Sequence, residues 1–212
     1  MTTTASVQTL YTVRAGQVQT VDVPELGFVL VEGTGAPESA AFAEALQALY
    51  GVSYAAHFLE RQRQVATKVM PLEALWWADD PEQQELIRAV AAGRWVMTDA
   101  DRERWHWQAM ILQPEPVDAD VVAEAVAVTR RKRPSAGLDR IRYERWREGL
   151  AVQLLHVGRY ADEGPSIVRL HEAISAAGYR PRGRHHEIYL GDPRRSPPER
   201  LRTILRQPVE PA

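Results

Sequence analysis

The feature that most constrains the fold of this chain is an internal duplication. The segments FVLVEGTG, VMPLEALWW and AMILQPEPV of the first half correspond in order to QLLHVGRY, HHEIYL and RTILRQPV of the second half. In each half a predicted helix separates the first two segments, ending near Gly51 and at Gly178. Each half therefore reads as one strand, one helix and a pair of strands. Two such units, related by a pseudo-twofold axis, would bury a shared edge or face of their sheets.

The duplication makes the whole chain one domain built from two modules. The predicted parts are a first module over about 17–117, with an inserted helix at 81–104, and a second module over about 118–209. Within the first module, strands are predicted at 17–23 and 28–33, on either side of a turn at Pro24 and Gly27. The run VSYAAHFLE after Gly51 fits either a short strand or a continuation of the helix.

Composition excludes several classes of protein. The 45% hydrophobic content is enough for a sizeable core, no stretch of 18 apolar residues predicts a membrane span, and the start MTTTASV lacks signal-peptide features. The absence of cysteine excludes disulfides, so a cytoplasmic location is expected. The net charge of −2 hides an acidic first half and a basic second half. Two halves of opposite sign favour packing against each other, so we do not expect nucleic-acid binding.

The strand HHEIYL contains the main candidate catalytic residue. Alternation along a strand places His185, Glu187 and Tyr189 on one face, and His186 on the other. A carboxylate between an imidazole and a phenol indicates that this face of the strand belongs to a functional site and not to the hydrophobic core. The alternative is that Glu187 faces solvent and pairs with Arg184. Aromatic neighbours would desolvate the carboxylate and raise its pKa, which suits a general base that deprotonates water.

Glu73 is at the matching position of the first repeat. As the pseudo-symmetric mate of Glu187, it is a candidate ligand-binding carboxylate. The alternative is a structural residue that Arg104 or Lys68 simply neutralises.

Aromatic residues are concentrated around the same segments. Five of the six tryptophans lie between positions 76 and 107. Trp76 and Trp77 must point to opposite sides of a strand, whereas Trp105 and Trp107 share a side. Core packing is the default role of each, but a flat-walled cage for aromatic rings is also expected. The candidates to line such a cage are Trp76, Trp105, Trp107, Tyr54, Tyr143, Tyr160 and Tyr189.

Other motifs narrow the chemistry. His156, near the end of its strand, is either a satisfied structural histidine or a donor to a developing oxyanion. His185 and His186 point to opposite faces and no H-x-x-x-H accompanies them, so no metal site is expected. The sequence contains no G-x-S-x-G, Walker or G-x-G-x-x-G motif, which argues against serine hydrolases, NTPases and dinucleotide-binding enzymes.

The segments PLEALWW, HWQAMILQPEPV, EGLAVQLLHVGRYADEG and RGRHHEIYLGDPRR together resemble the GyrI-like small-molecule-binding family, in its stand-alone two-module branch. The resemblance covers roughly Val18 to Val209. It implies an α+β fold of two pseudo-symmetric β-α-β-β modules with antiparallel sheets and a ligand groove between them. In that groove, aromatic residues and an acidic residue would hold amphipathic, often planar or cationic, compounds. The branch usually contains the motifs HxGPY and LEGLWW. This chain has Arg159 in place of the proline of the first motif and Ala74 in place of the glycine of the second.

The branch is similar to enzymes that hydrolyse the cyclopropane of DNA-alkylating natural products of the yatakemycin type. The resemblance thus implies a cofactor-independent hydrolase, with Glu187 activating water and Tyr160 or His156 meeting the developing oxyanion. The alternative is a non-catalytic module that sequesters or senses aromatic drugs, with Glu187 as counter-ion. A transcription regulator is not expected, since the two modules occupy nearly all of the sequence and show no helix-turn-helix segment. The expected partner is an aromatic small molecule, and the expected state is a monomer or weak homodimer.

Overall fold

A computed structural model describes residues 7–80, 82 and 102–212 of the chain. Most of the insertion predicted at 81–104 lies outside the described residues. The helices are α1 (Val7–Leu10), α2 (Ala40–Gln62), α3 (Ala119–Lys132) and α4 (Gly164–Ala176). The strands are β1 (Val18–Thr34), β2 (Leu72–Trp77), β3 (His106–Leu112), β4 (Arg142–Val157), β5 (Tyr179–Pro181), β6 (His185–Tyr189) and β7 (Arg202–Pro211). Short 3-10 turns lie at Ala136–Arg140, Tyr160–Asp162 and Pro198–Arg200.

The strands form one antiparallel sheet that closes on itself. Their order is β4-β1-β3-β2-β6-β7, and a further pairing between β4 and β7 closes the ring. The short strand β5 pairs with the end of β7, next to β6. The fold is therefore mixed α and β, with α2 and α4 on the outer face of the sheet, whereas the end of α1 at Leu10 contacts Arg206 of the interior. None of the helices in the described part of the chain has the length and apolar character needed to span a lipid bilayer.

Apolar side chains on the outer face of the sheet hold α2 and α4 in place. Phe42, Leu49 and Val52 of α2 are buried in the larger core cluster, which also contains the outward-facing residues of β1, β2 and β3. Leu170 and Ile174, one turn apart on α4, pack over β7 in a second cluster. The two helices therefore cover different parts of the same outer face.

The structure corrects two sequence predictions in the first half. Strand β1 runs from 18 to 34 without the predicted turn, because the long strand β4 pairs along it on both sides of Pro24. Helix α2 continues through Gly51 to Gln62, which selects the helical reading of VSYAAHFLE. Gly51 serves packing instead of capping: a Cβ there would meet Cγ2 of Thr129 at 3.0 Å, and the Thr129 hydroxyl donates to Gly51 O at 3.2 Å.

A chain of buried charged groups crosses the interior of the closed sheet. Tyr11 donates to Glu73 (2.5 Å), His186 lies 2.9 Å from Glu73 and 2.8 Å from Glu148, and Arg206 donates to Glu148 at 3.0 Å. Burial alone would lower the pKa of His186, but the neighbouring carboxylates outweigh it and raise the pKa to about 8. Burial opposes the ionisation of Glu148, yet His186 and Arg206 lower its pKa to about 2. His186 and Glu148 are therefore both charged near neutral pH in the folded protein.

Candidate functional site

A group of acidic and aromatic side chains meets on the outer face of the sheet, where β2 pairs with β6. We call this group the carboxylate cluster; its members are Trp76, Tyr160, Glu163, Glu187 and Tyr189. Strand β6 alternates as the sequence predicts, so His186 and Ile188 face the interior while Glu187 and Tyr189 face outward. In the register of β2 and β6, Trp76 is opposite His185, which places its indole on the same outer face.

A chain of hydrogen bonds joins the aromatic residues to Glu187. The indole Nε1 of Trp76 donates to the hydroxyl of Tyr189 at 3.2 Å, and that hydroxyl donates to Oε2 of Glu187 at 2.7 Å. The ring of Tyr160 packs edge-on against Tyr189, with centroids 5.5 Å apart and planes at 75°. Glu187 is therefore walled by rings, and its side chain keeps only 15% of its exposure.

Glu163 brings a second carboxylate to the cluster. It follows the turn Tyr160–Asp162, immediately precedes α4, and is only 6% exposed. Burial raises the pKa of Glu163 to about 9, and the negative charge of Glu187 adds to the effect. Burial also raises the pKa of Glu187, to about 7, against the opposing effect of the Tyr189 hydrogen bond. Near neutral pH the pair therefore shares a single negative charge, as two close carboxyl groups generally do.

Three buried polar atoms near the two carboxylates make no hydrogen bond of ordinary geometry within the described chain; they are Oε1 of Glu163, Nε2 of His185 and Oγ1 of Thr203. They do have polar neighbours, since Thr203 lies near Glu163, Gln207 lies near His185, and Nε2 of His185 is 3.7 Å from Oε1 of Glu187. Thr203 pairs with Tyr189 in the β6–β7 register. An unsatisfied buried polar atom costs about 1–3 kcal/mol, so three near one carboxylate pair indicate a place for water or a polar ligand group. Burial lowers the pKa of His185 to about 3, so its imidazole is neutral.

The tryptophans build the aromatic wall behind the cluster. Trp76 is 5.5 Å from the ring of Phe42 and 5.8 Å from Trp105, measured between centroids. Trp107 is fully buried, packs edge-on against Phe42 at 5.0 Å, and covers Gly33 on β1. The structure thus places Trp76 in the cluster, Trp105 beside it, and Trp107 in the core that supports them.

Glu73 does not belong to the cluster, contrary to the sequence prediction. The β2–β6 register pairs Ala74 with Glu187 and Glu73 with Ile188. Glu73 is therefore one residue away from the position opposite Glu187, and its side chain is on the other face of the sheet. It points into the closed sheet, where it is 1% exposed. Its carboxylate is bound by Tyr11 and His186 instead of Arg104 or Lys68.

His156 holds a turn, and its ring is not free to act as an oxyanion donor. Its Nε2 lies 3.1 Å from the carbonyl oxygen of Arg159, which can only accept, so Nε2 carries the proton. Its Nδ1 then accepts from the hydroxyl of Ser166 on α4, at 2.9 Å. Both ring nitrogens are therefore occupied by the turn that carries Tyr160 and Glu163, which corrects the predicted catalytic role.

The two remaining predicted tyrosines have different surroundings. The ring of Tyr143 lies against Gly27, and its hydroxyl donates to Val117 O at 3.3 Å, so it packs under the α3 side of the sheet and not in the cluster. Tyr54 is 50% exposed on α2, one turn from Tyr50, with 6.4 Å between the ring centroids. Tyr54 is therefore available at the surface of α2 but makes no described contact with Glu187.

The cluster does not line either of two cavities that the described residues form, of about 470 and about 340 Å³. One lies near Thr67 and Pro114, and the other at an opening of the closed sheet near Trp146 and Arg184. Tyr160, 37% exposed, covers the outer side of the cluster.

Sequence reasoning missed Glu163, His185 and Thr203 as members of the site. The alternation of HHEIYL already placed His185 beside Glu187, and the echo of ILQP in ILRQP marked the strand that carries Thr203. Glu163 gave a weaker signal, because an acidic residue just before a helix is usually read as a cap.

Comparisons with known proteins agree with this fold. The pattern of the GyrI-like small molecule binding domain matches residues 16–210. A crystal structure of an uncharacterized conserved protein from Listeria innocua is 30% identical, with a TM-score of 0.82 over 96% of this chain and 97% of that one. A crystal structure of a hydrolase from Listeria innocua is 28% identical, with a TM-score of 0.76 over 96% of each chain. The crystal structure of the EcmrR C-terminal domain, 11% identical with a TM-score of 0.56, covers 92% of this chain and 98% of that one and shares the fold. The comparison with curated proteins gave no match.

Proposed function

The chain belongs to the GyrI-like small-molecule-binding family, and from this premise we propose that it is a hydrolase that adds water to a strained ring of a flat aromatic compound. The substrate class is that of DNA-alkylating cyclopropanoids of the yatakemycin type, whose opened products no longer alkylate DNA and so leave the cell protected. The observation that carries the proposal is the buried carboxylate pair Glu163 and Glu187 inside an aromatic wall. The likeness to a Listeria innocua hydrolase supports it.

The position of the cluster supports a ligand groove between two repeats. Strands β1, β3 and β2 pair in the same order as β4, β7 and β6, as two β-α-β-β modules require. The modules meet at two junctions, where β1 pairs with β4 and where β2 pairs with β6. The cluster lies over the second junction, with Trp76 from one module and Glu187 from the other. A ligand in this position would contact both modules, as expected of a groove that they form together.

The reaction requires little of the protein beyond positioning and charge stabilisation. The oxygen of a water molecule bonds to a carbon of the cyclopropane, one C–C bond of the ring breaks, and its electron pair is delocalised onto the conjugated carbonyl oxygen. That oxygen is then protonated to a phenol, and the water proton passes to the base, so the atoms balance without a cofactor. Release of ring strain supplies the driving force, while orientation and electrostatics lower the barrier.

The environments of the two carboxyl groups favour different roles. Glu187 has the lower pKa of the pair, near neutrality, and acts as the general base that takes the proton from water. Glu163 stays protonated at neutral pH and donates a hydrogen bond. Burial raises the pKa of Tyr160 to about 12, so its phenol keeps its proton and serves as the donor to the developing oxyanion. The side-chain atoms of His185 and Thr203 that make no hydrogen bond of ordinary geometry would hold the water.

Ligand entry requires movement at the outer side of the cluster. Tyr160 lies over Tyr189 and is 37% exposed, so rotation of its side chain would uncover the carboxylates without disturbing the core. Tyr54, 50% exposed on α2, would extend the aromatic surface toward a bound ring system.

A second candidate function is binding without turnover. A carboxylate beside an indole and two phenols suits a cationic aromatic ligand, because the ring faces and the carboxylate attract the same positive charge. In that case Glu187 would be a counter-ion, and the protein would sequester drugs or sense them.

One experiment separates the two functions. The purified protein is incubated with an excess of a yatakemycin-type cyclopropanoid, and the ring-opened product is followed over time by mass spectrometry. A hydrolase gives product beyond one equivalent, and Glu187→Gln abolishes it while Glu172→Gln, an exposed change on α4, does not. Protection limited to one equivalent of intact compound would instead establish the binding module.

A further inference from the structure

The open end of the closed sheet contains a cavity that the proposed reaction does not use. We call it the interior mouth; it has a volume of about 340 Å³ and is lined by residues of β1, β2, β3, β4 and β7 and of the segment before β6, among them Phe28, Gln108, Trp146, Arg182 and Arg184. Gln108 and Phe28 lie on the inner face, opposite Trp107 and Val29, whose side chains face α2. The interior mouth is therefore separated from the carboxylate cluster by the sheet.

The arginines of the interior mouth leave it with positive charge. Arg182 donates to backbone carbonyl oxygens, of Val209 at 3.1 Å and of Glu148, and has no carboxylate partner among the described residues. Arg142 is shared between Glu32 and Glu144, at 3.0 Å from each, and Arg184 lies 3.9 Å from Glu32. These two arginines and two glutamates balance in charge, as do Arg147 and Asp22. The lining residue Glu148 is bound by His186 and Arg206, so the positive charge that remains at the interior mouth is that of Arg182.

A poorly satisfied amide points to the kind of group that would bind beside these arginines. Gln108 is 9% exposed, and its Nε2 has only the thioether of Met110, a weak acceptor, at 3.7 Å. Its Oε1 accepts a long hydrogen bond of 3.4 Å from Arg184, whose guanidinium stacks 3.4 Å over the ring of Trp77. The amide N–H and the guanidinium therefore offer two adjacent donors without a strong acceptor, and a carboxylate would satisfy both.

The walls of the interior mouth are apolar and aromatic. Phe28 and Trp146 meet edge-on with ring centroids 5.7 Å apart, and Leu30 and Leu75 complete the wall. A volume of about 340 Å³ is at the small end of the range of ligand sites, roughly 300–1,000 Å³, and suits one or two fused rings. We propose that the interior mouth is a second ligand site, which binds small planar aromatic carboxylates through Arg184 and Gln108.

Binding of 2-naphthoate, with 2-naphthylmethylammonium as the matched cation, tests the proposal by calorimetry on the full chain. The wild type should bind the carboxylate, and any binding of the cation should be unaffected by Arg184→Gln. Arg184→Gln should weaken naphthoate binding at least about tenfold, the equivalent of about 1.4 kcal/mol for a lost charged hydrogen bond. Gln108→Glu, which keeps the side-chain shape and adds a negative charge, should weaken it by a similar factor.

An exposed carboxylate on α4 provides the control. Glu172→Gln should leave naphthoate binding unchanged, because its side chain lies on the outer surface, away from the interior mouth. The proposal is overturned if millimolar naphthoate gives no binding, if binding survives Arg184→Gln in a protein with wild-type circular dichroism, or if Glu172→Gln weakens binding as much as Arg184→Gln does. Since no hydrolysis is measured, these outcomes are independent of the proposed catalytic function.

Discussion

The hydroxyl of Tyr189 lies 2.7 Å from Oε2 of Glu187 and donates a hydrogen bond to it, from a position two residues along the same strand. Side chains two apart on a strand share a face, so β6 supplies both the base and the donor that stabilises its charged form. The Trp76 indole in turn donates to that hydroxyl. This arrangement keeps Glu187 ionisable near neutral pH although burial alone would push its pKa higher.

Tyr189→Phe tests this relationship through the pH dependence of hydrolysis. In the wild type, kcat/KM should rise with pH through the Glu187 pKa of about 7, because only the carboxylate form accepts a proton. Loss of the phenol hydrogen bond favours the neutral acid and should move this rising limb up by about one pH unit. The measurement is kcat/KM across the pH range, and an unchanged profile would argue that Glu187 is not the titrating base.

Glu163→Gln should leave the same limb in place. The pKa of Glu163, about 9, lies above that of Glu187, about 7, so Glu163 is still protonated while Glu187 titrates and a neutral amide replaces a neutral acid. The variant should therefore retain part of its activity and keep the rising limb of the wild type. Glu172→Gln, on the exposed side of the adjacent helix, should keep the wild-type profile. A limb that moves to lower pH would show that Glu163 carries a negative charge while Glu187 titrates.

The contrast between Glu187 and Glu73 shows how far sequence alone can predict this site. Alternation within HHEIYL correctly gives the faces of β6, because it is a local property of one strand. The comparison of the two repeats failed for Glu73, since a shift of one residue in the β2–β6 register moves a side chain to the other face. Register depends on long-range pairing, which no single segment reveals.

Glu163 and His156 illustrate a second limit. Their roles depend on how the turn between β4 and α4 folds over β6, which brings Glu163 beside a strand more than 20 residues later. The same turn is held by hydrogen bonds from His156 to Arg159 and Ser166. A sequence pattern indicates that such a turn exists, but the direction of its side chains is decided by tertiary packing.

Gly33→Ala tests the support of the aromatic wall. Gly33 pairs with Trp107 across β1 and β3, and a Cβ at this position would overlap the indole ring. The ring would have to move toward Phe42, in a core without spare room, at a cost of about 1–3 kcal/mol in the free energy of unfolding. Denaturant unfolding measures this cost. Gly164→Ala, where a Cβ meets no atom within 4 Å, is the control and should be close to neutral.

The interior network predicts how stability depends on pH. His186 has a raised pKa of about 8 in the folded protein, so its ionisation stabilises the fold fully below its unfolded value of 6.5. That contribution is lost as the pH rises through 8. The difference between the folded and unfolded pKa values of His186 corresponds to a loss on the order of 2 kcal/mol in the free energy of unfolding, at about 1.36 kcal/mol per pKa unit.

His186→Gln isolates this contribution, because the amide fills similar space but does not titrate. The raised pKa values of Glu163 and Glu187 also favour unfolding as the pH rises, so the test compares the change in unfolding free energy between about pH 6 and about pH 9 in both proteins. The variant should be less stable at the lower pH, since Glu73 and Glu148 lose a positive partner in a buried site. It should also lose less stability than the wild type on going to the higher pH. Equal losses in the two proteins would mean that His186 is not charged in the fold, and that the carboxylates on the outer face set the whole pH dependence.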